Sequence, residues 1–240
     1  MNVSRTPLFL ALALLSGTVA SATIITEPTR TFTVGTDIPD FQDPPLSFLQ
    51  TISDSSIFSL TQVQISLNLV GTPASSGFAG EMVVLLNKNL SLTSVLLNRA
   101  GFSGTDSVGQ PYDGWNVTFS DLAASDVHLA TLDSGVLTGT YQPDGRVNPI
   151  DTLRPELLDV FNGETGNGDW RISVGDLEAG GTMRLASWSL TLTGEAVPEP
   201  GTWAAIVAMA GLTGVTWWRR NARGTPATPC DSVAISKMRH

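Results

Sequence analysis

Gly168-Asp169-Trp170-Arg171-Ile172-Ser173-Val174-Gly175-Asp176, followed by Ser187-Trp188-Ser189-Leu190-Thr191-Leu192, is the stretch that decides the fold class. In the first run Trp170, Ile172 and Val174 alternate with Arg171 and Ser173. In the second, Trp188, Leu190 and Leu192 alternate with serines and a threonine. Successive side chains of an extended chain point to opposite faces, so each run predicts a strand with one dry face and one wet face. The glycines and aspartates around the first run are turn formers.

The same period recurs upstream. Val63, Ile65, Leu67 and Leu69 alternate with Gln62, Gln64, Ser66 and Asn68, and shorter candidate strands lie at 31–34, 93–97 and 115–119. Residues 82–86 (Met-Val-Val-Leu-Leu) are continuously apolar, which predicts a strand covered on both faces. Turn chemistry separates these runs at Gly71-Thr72-Pro73 and at 101–106, 143–149 and 162–169. Helical signal is confined to 151–161, where Pro155 stands near the start of a short apolar-sided turn. Roughly eight short strands with turns between them predict an all-β, antiparallel sandwich.

Both ends of the chain carry targeting patterns. Arg5 precedes an apolar run at 8–15, and Ala20-Ser21-Ala22 offers small residues at the two positions a signal peptidase reads, so cleavage is expected after Ala22. Near the other end Val197-Pro198-Glu199-Pro200 leads into an uncharged apolar stretch from Gly201 to Trp218, closed by Arg219-Arg220. A stretch of that length is enough for one transmembrane helix, with tryptophans at the interface and arginines on the inner side. Pro-Glu-Pro, helix and arginine pair in that order resemble the PEP-CTERM sorting tail. That resemblance implies export, an exosortase-type sorting enzyme as partner and temporary anchoring in the cell membrane before release to the cell surface or extracellular matrix. The expected organisation is a signal peptide over 1–22, a lead-in strand over 23–36 and a sandwich over 37–195. The sorting signal follows over 196–220, with a short basic tail over 221–240.

Between Thr23 and Pro200 there are seven basic residues against twenty-one acidic ones, a net charge of −14. Such a body repels phosphate backbones, which excludes nucleic acid as a partner. Cys230, the sole cysteine, lies beyond Arg220, so neither disulfides nor thiolate zinc sites hold the body together.

Further motifs carry a second resemblance. Ile38-Pro39-Asp40 and Thr51-Ile52-Ser53 are followed by Gly80-Glu81-Met82-Val83-Val84-Leu85-Leu86, then by Val95-Leu96-Leu97-Asn98-Arg99. Asn116-Val117-Thr118-Phe119-Ser120-Asp121 comes next, and the two tryptophan-bearing runs at 168–176 and 187–192 close the series. This order is similar to the P domain (homo B domain) of proprotein convertases and secreted bacterial subtilisin-like proteases. It implies a jelly-roll β-sandwich. Two departures stand out: Glu81 takes the place of the usual aspartate, and the last turn reads Leu177-Glu178-Ala179-Gly180-Gly181.

Trp170 and Trp188 fall on inward positions and are assigned to the core, where each indole buries roughly 150–250 Å². Asp176, directly after a strand, fits either an Asx-turn or a calcium ligand. Asp121, Glu81 and Asp113 are the other carboxylates expected near a calcium ion, although their spacing matches no EF-hand loop. Catalysis has little to stand on. His128 is the only histidine of the body and reads as a surface residue, and no serine sits in a Gly-x-Ser-x-Gly elbow.

The expected function is that of an exported, surface-sorted, non-catalytic module, for adhesion or scaffolding in an extracellular polysaccharide matrix or on a partner protein. One alternative is an accessory domain acting in trans on a subtilisin-like protease. Another is a carbohydrate-binding module, for which Tyr112, Trp115 and Tyr141 are the available aromatics. A hydrolase using carboxylates alone is the last.

Overall fold

Ile57–Thr72, here β4, shows how the alternation becomes architecture: Ile57, Leu60, Val63, Ile65, Leu67 and Leu69 are buried, while Gln64, Ser66 and Asn68 between them stay half-exposed. In the computed structural model the described residues are 22–72, 78–103, 105–106, 109–111, 113–132, 134–196 and Met209. The signal-peptide pattern up to Ser21 and the residues from Val197 onward, Met209 apart, lie outside them. Among the described residues no helix is long and apolar enough to cross a membrane. The chain divides into two compact units, Met1–Val197 and Pro198–His240, and every described strand belongs to the first.

Ten strands are described: β1 Thr23–Thr26, β2 Arg30–Ile38, β3 Leu46–Ile52, β4, β5 Met82–Lys88, β6 Leu92–Asn98, β7 Gly114–Phe119, β8 Val136–Tyr141, β9 Gly168–Asp176 and β10 Thr182–Ala196. They form two sheets. The larger has the order β1-β10-β4-β7-β8 with β2 also on β10, and the smaller has the order β3-β9-β5-β6. Side chains from both sheets fill the space between them, including the fully buried Trp115, Trp170, Trp188 and Phe119, joined by Phe161 from the loop before β9. The all-β sandwich and the core positions of Trp170 and Trp188 therefore stand. Trp170 fixes its indole by donating to the Gly166 carbonyl at 3.1 Å and meets Phe161 edge-on at 5.2 Å. Trp188 packs on Phe32 across the β10–β2 pair at 4.5 Å.

Several expectations are corrected. The sandwich is not wholly antiparallel, because β8 pairs with β7 in parallel. The chain leaves β7 at its far end and returns through 120–135 to start beside Gly114, the kind of crossover a parallel pair needs. Gly114 itself sits at φ 146, and a Cβ there would lie 2.2 Å from the Leu69 carbonyl oxygen, so only glycine lets β7 dock at this point. β5 is not covered on both faces: Met82, Val84, Leu86 and Lys88 are buried, while Val83, Leu85 and Asn87 are half-exposed. The helical turn shrinks to a 3₁₀ turn at Leu158–Phe161. β10 extends further upstream than its alternation suggests, because a bulge between Leu185 and Ser187 shifts the phase and keeps Met183, Leu185 and Trp188 all inward.

The lead-in is two strands rather than one, both on the same edge of β10. Glu27 makes the corner between them. Its buried carboxylate accepts from the Ser56 amide and the Ser55 hydroxyl, both at 2.9 Å, and from Arg30 at 3.2 Å.

Candidate functional site

The pairing of β5 with β9 sets Met82 opposite Asp176, which brings Glu81 beside the end of β9. Backbone bonds fix the junction: the Leu177 amide donates to the Glu81 carbonyl at 3.1 Å, and the Gln42 amide to the Asp176 carbonyl at 2.7 Å. The Leu177–Gly181 loop folds over the pair, so closely that a Cβ on Gly180 would stand 2.9 Å from Glu81 Oε2. Asp176 is 1 % exposed and Glu81 6 %. Asp176 Oδ1 accepts the Glu178 amide at 3.4 Å, a long Asx-turn contact. Asp176 Oδ2 and Glu81 Oε2 are buried with no hydrogen-bond partner.

That arrangement is electrostatically costly. Burial first, helped by the negative charges of Glu81, Asp40 and Glu178, pushes the Asp176 carboxyl up to about 7, against the hydrogen bond from the Glu178 amide, which outweighs any one of those charges. Burial also raises Glu81, helped by Glu178 and Asp40 and opposed by Arg99. Arg99 is held through Glu178 at 3.0 Å. Two buried oxygens with unused lone pairs, inside a negative field, suit either a proton or a hard cation of the calcium type. Among the described residues no three acidic or histidine side chains close into a ready-made metal cage. A cation here would take Glu81 and Asp176 as its charged ligands, with water or carbonyl oxygens completing the shell.

The other two expected carboxylates are elsewhere, at opposite ends of β7. Asp113 precedes the strand, and its carboxylate accepts the Gly135 amide at 3.2 Å, tying together the starts of β7 and β8. Asp121 follows the strand and accepts the Leu158 amide at 3.1 Å, at the head of the 3₁₀ turn; burial raises its pKa. Both carboxylates accept amides from distant segments and so tie loops together. The structure thus brings together Glu81 and Asp176 and separates Asp121 and Asp113 from them.

His128 is not a surface residue: it is 5 % exposed. Asp126 caps the 3₁₀ turn Val127–Leu129 by accepting the His128 amide at 2.9 Å, and the ring turns inward. Its Nδ1 lies 2.6 Å from Asp144 Oδ2 and its Nε2 lies 3.2 Å from the Phe102 carbonyl oxygen. With an acceptor at each nitrogen, the doubly protonated ring is the form that satisfies both contacts. Burial lowers its pKa, but the Asp144 bond and charge and the Phe102 carbonyl outweigh burial, so the net shift is upward. Arg146 bonds Asp144 at 3.0 Å and Asp126 at 2.7 Å, and Arg154 bonds the Asp144 carbonyl at 2.8 Å. No linear spacing announces this network, since its members come from separate turns.

Beside it a cleft of about 560 Å³ opens between the loops, with Phe102, Leu129 and Ile150 on its rim and Gln110, Thr131 and Thr152 among its polar lining. Ser103 also lines it, but its Oγ accepts the Asp106 amide at 3.0 Å and the Thr105 amide at 3.3 Å. Of the aromatics considered for sugar stacking, Trp115 is core, Tyr141 is half-buried and Tyr112 lies outside the described residues.

No family model matches this sequence, and no curated protein matches it. Two solved structures are similar in part. One is the Aeromonas sobria serine protease in complex with its chaperone (18 % identity, TM-score 0.43, covering 73 % of this chain and 28 % of that one). The other is the same protease alone (18 % identity, TM-score 0.41, covering 72 % and 27 %). This chain therefore spans less than a third of the length of either.

Proposed function

We propose that this chain is an exported, surface-sorted, non-catalytic jelly-roll module, an adhesion or interaction scaffold of an extracellular polysaccharide matrix, with calcium as a structural ion at Glu81 and Asp176. The observation that carries the non-catalytic part is the condition of His128. Both of its nitrogens are engaged by Asp144 and Phe102, so it serves as a strut between loops and has no free nitrogen to act as a base. Hydroxyl and amide groups beside apolar edges in the neighbouring cleft suit the hydroxyls and C–H faces of a sugar. Sorting rests on the sequence: Val197-Pro198-Glu199-Pro200 and Arg219-Arg220 hand the chain to an exosortase-type enzyme, and the apolar stretch between them holds it in the membrane until processing.

Mixing the purified 23–195 body with matrix polysaccharide from the producing cells, followed by sedimentation and sizing of the polymer, tests this. The body is expected to sediment with the polymer and leave its chain length unchanged. Shortening of the polymer means a carboxylate hydrolase. Failure to sediment, together with a change in the activity of a co-exported subtilisin-like protease, means the accessory-domain alternative.

A further inference from the structure

The outer face of the β3-β9-β5-β6 sheet carries a groove of about 480 Å³ that neither the acid pair nor the His128 cleft uses. Pro45, Val83, Leu85, Val95, Val147 and Leu177 line it, and its two charged lining residues, Asp43 and Glu156, are both acidic. Val83 and Leu85 point outward because Met82, Val84 and Leu86 take the inward positions of β5. The rest of this face is mostly polar, with Leu49, 45 % exposed, and its cross-strand neighbour Arg171 set between hydrogen-bonded pairs. Ser47 bonds Ser173 at 2.8 Å, Thr51 bonds Asp169 at 2.7 Å, and Asn87 bonds Thr93 at 2.6 Å. One half of the face is thus largely polar, its serine, threonine, aspartate and asparagine side chains joined in pairs. The other half is an aliphatic trough with Val147 standing 65 % exposed at its side.

We infer that this trough docks a segment of a partner protein in which aliphatic side chains sit beside lysine or arginine. Charge selects that occupant. The body carries −14 between Thr23 and Pro200, so a second copy would bring acidic Asp43 and Glu156 against the same residues, and an anionic lipid surface is repelled as well. A basic flank is attracted by the same field, while apolar contact in the trough supplies the affinity. Aliphatic anchors with cationic neighbours complement both features of the groove.

Fluorescence anisotropy with the full chain in mild detergent, at about 0.15 M salt, tests the inference. The probes are labelled peptides of alternating leucine and lysine, leucine and glutamate, and serine and lysine. The leucine–lysine peptide is expected to bind at least about tenfold more tightly than either of the others. Val147→Asp and Leu85→Asp should each weaken it by about tenfold or more. Thr138→Asp, on the exposed β8 edge of the other sheet, should leave it unchanged. Val147 is exposed, so its variant keeps the test valid if Leu85→Asp fails to fold. Equal binding of the serine–lysine peptide, or binding indifferent to Val147→Asp, overturns the inference, as does no binding of the leucine–lysine peptide. A concentration-dependent dimer in sedimentation that Val147→Asp abolishes also overturns it, in favour of a second copy.

Discussion

Asp176→Asn is expected to stabilise the chelated protein at neutral pH, although it removes a native charge. Lifting a carboxyl from 3.8 to about 7 represents on the order of 4 kcal/mol of penalty on the ionised form. The sign follows from linkage. The folded pKa lies above the unfolded one, so the folded state binds more protons, and stability present below about pH 4 is lost as the pH rises toward 7. Asparagine is neutral and places an amide donor toward Glu81, so part of the penalty disappears. A gain of about 1–3 kcal/mol at pH 7.5 corresponds to roughly 2–12 °C in Tm for a domain of this size. At pH 4 the gain should vanish, because the aspartate is then protonated. A loss of stability in chelator at pH 7.5 would show that the ionised carboxylate has a favourable contact in the apo protein. Glu81 and Asp121 are raised too, as is the His128 ring, and each drives stability down as pH rises through its folded pKa.

Glu164→Ala and Lys88→Met should diverge sharply. Lys88 is fully buried at the end of β5, its Nζ is 3.3 Å from Glu164 Oε2, and its ammonium lies 5.7 Å from the Trp170 ring centre. Taking away Glu164 strands a desolvated ammonium against the core, which costs about 3 kcal/mol or more. Replacing Lys88 with methionine keeps the volume, removes the charge and leaves Glu164, 42 % exposed, to water. That change should be neutral or mildly stabilising. Chemical denaturation of the two variants measures the difference. Equal losses would mean that the ion pair, rather than the burial of its ammonium, sets the balance.

Sequence alone reveals the strands where alternation is unbroken, as in β4, β7, β9 and the end of β10. It is silent where one residue disrupts the phase, as the β10 bulge before Ser187 does. It is silent also for β3 and β8, where half-exposed positions or glycine blur the pattern: Gly139 sits within β8, and no residue of β3 but Ile52 is fully buried. The apolar run of β5 misleads. Its second face, expected to be covered, is an open trough among the described residues, with Val83 and Leu85 in its lining.

The candidate site was half legible. Glu81 and Asp176 meet because two strands pair, and proximity to a strand end was their only linear signal. Asp121 and Asp113 gave the same signal and proved to be acceptors that tie loops together, since residue type cannot distinguish a carboxylate with amides in reach from one without. His128 reads as superficial because it is itself polar and follows the acidic Asp121 and Asp126 closely. Asp126, Asp144 and Arg146 turn that polarity inward and satisfy it there.

Whether a cation completes the buried acid pair is decided by a thermal melt of the 23–195 body at pH 7.5, first in excess chelator and then in calcium. A ligand that binds only the folded state adds RT ln(1 + [L]/Kd), about 2.7 kcal/mol at a hundredfold excess over Kd. The melting temperature should rise by several degrees with calcium, and the rise should be absent in Asp176→Asn. The same melting temperature in calcium and in chelator would contradict a bound ion, and would leave Glu81 and Asp176 as a pair that shares a proton.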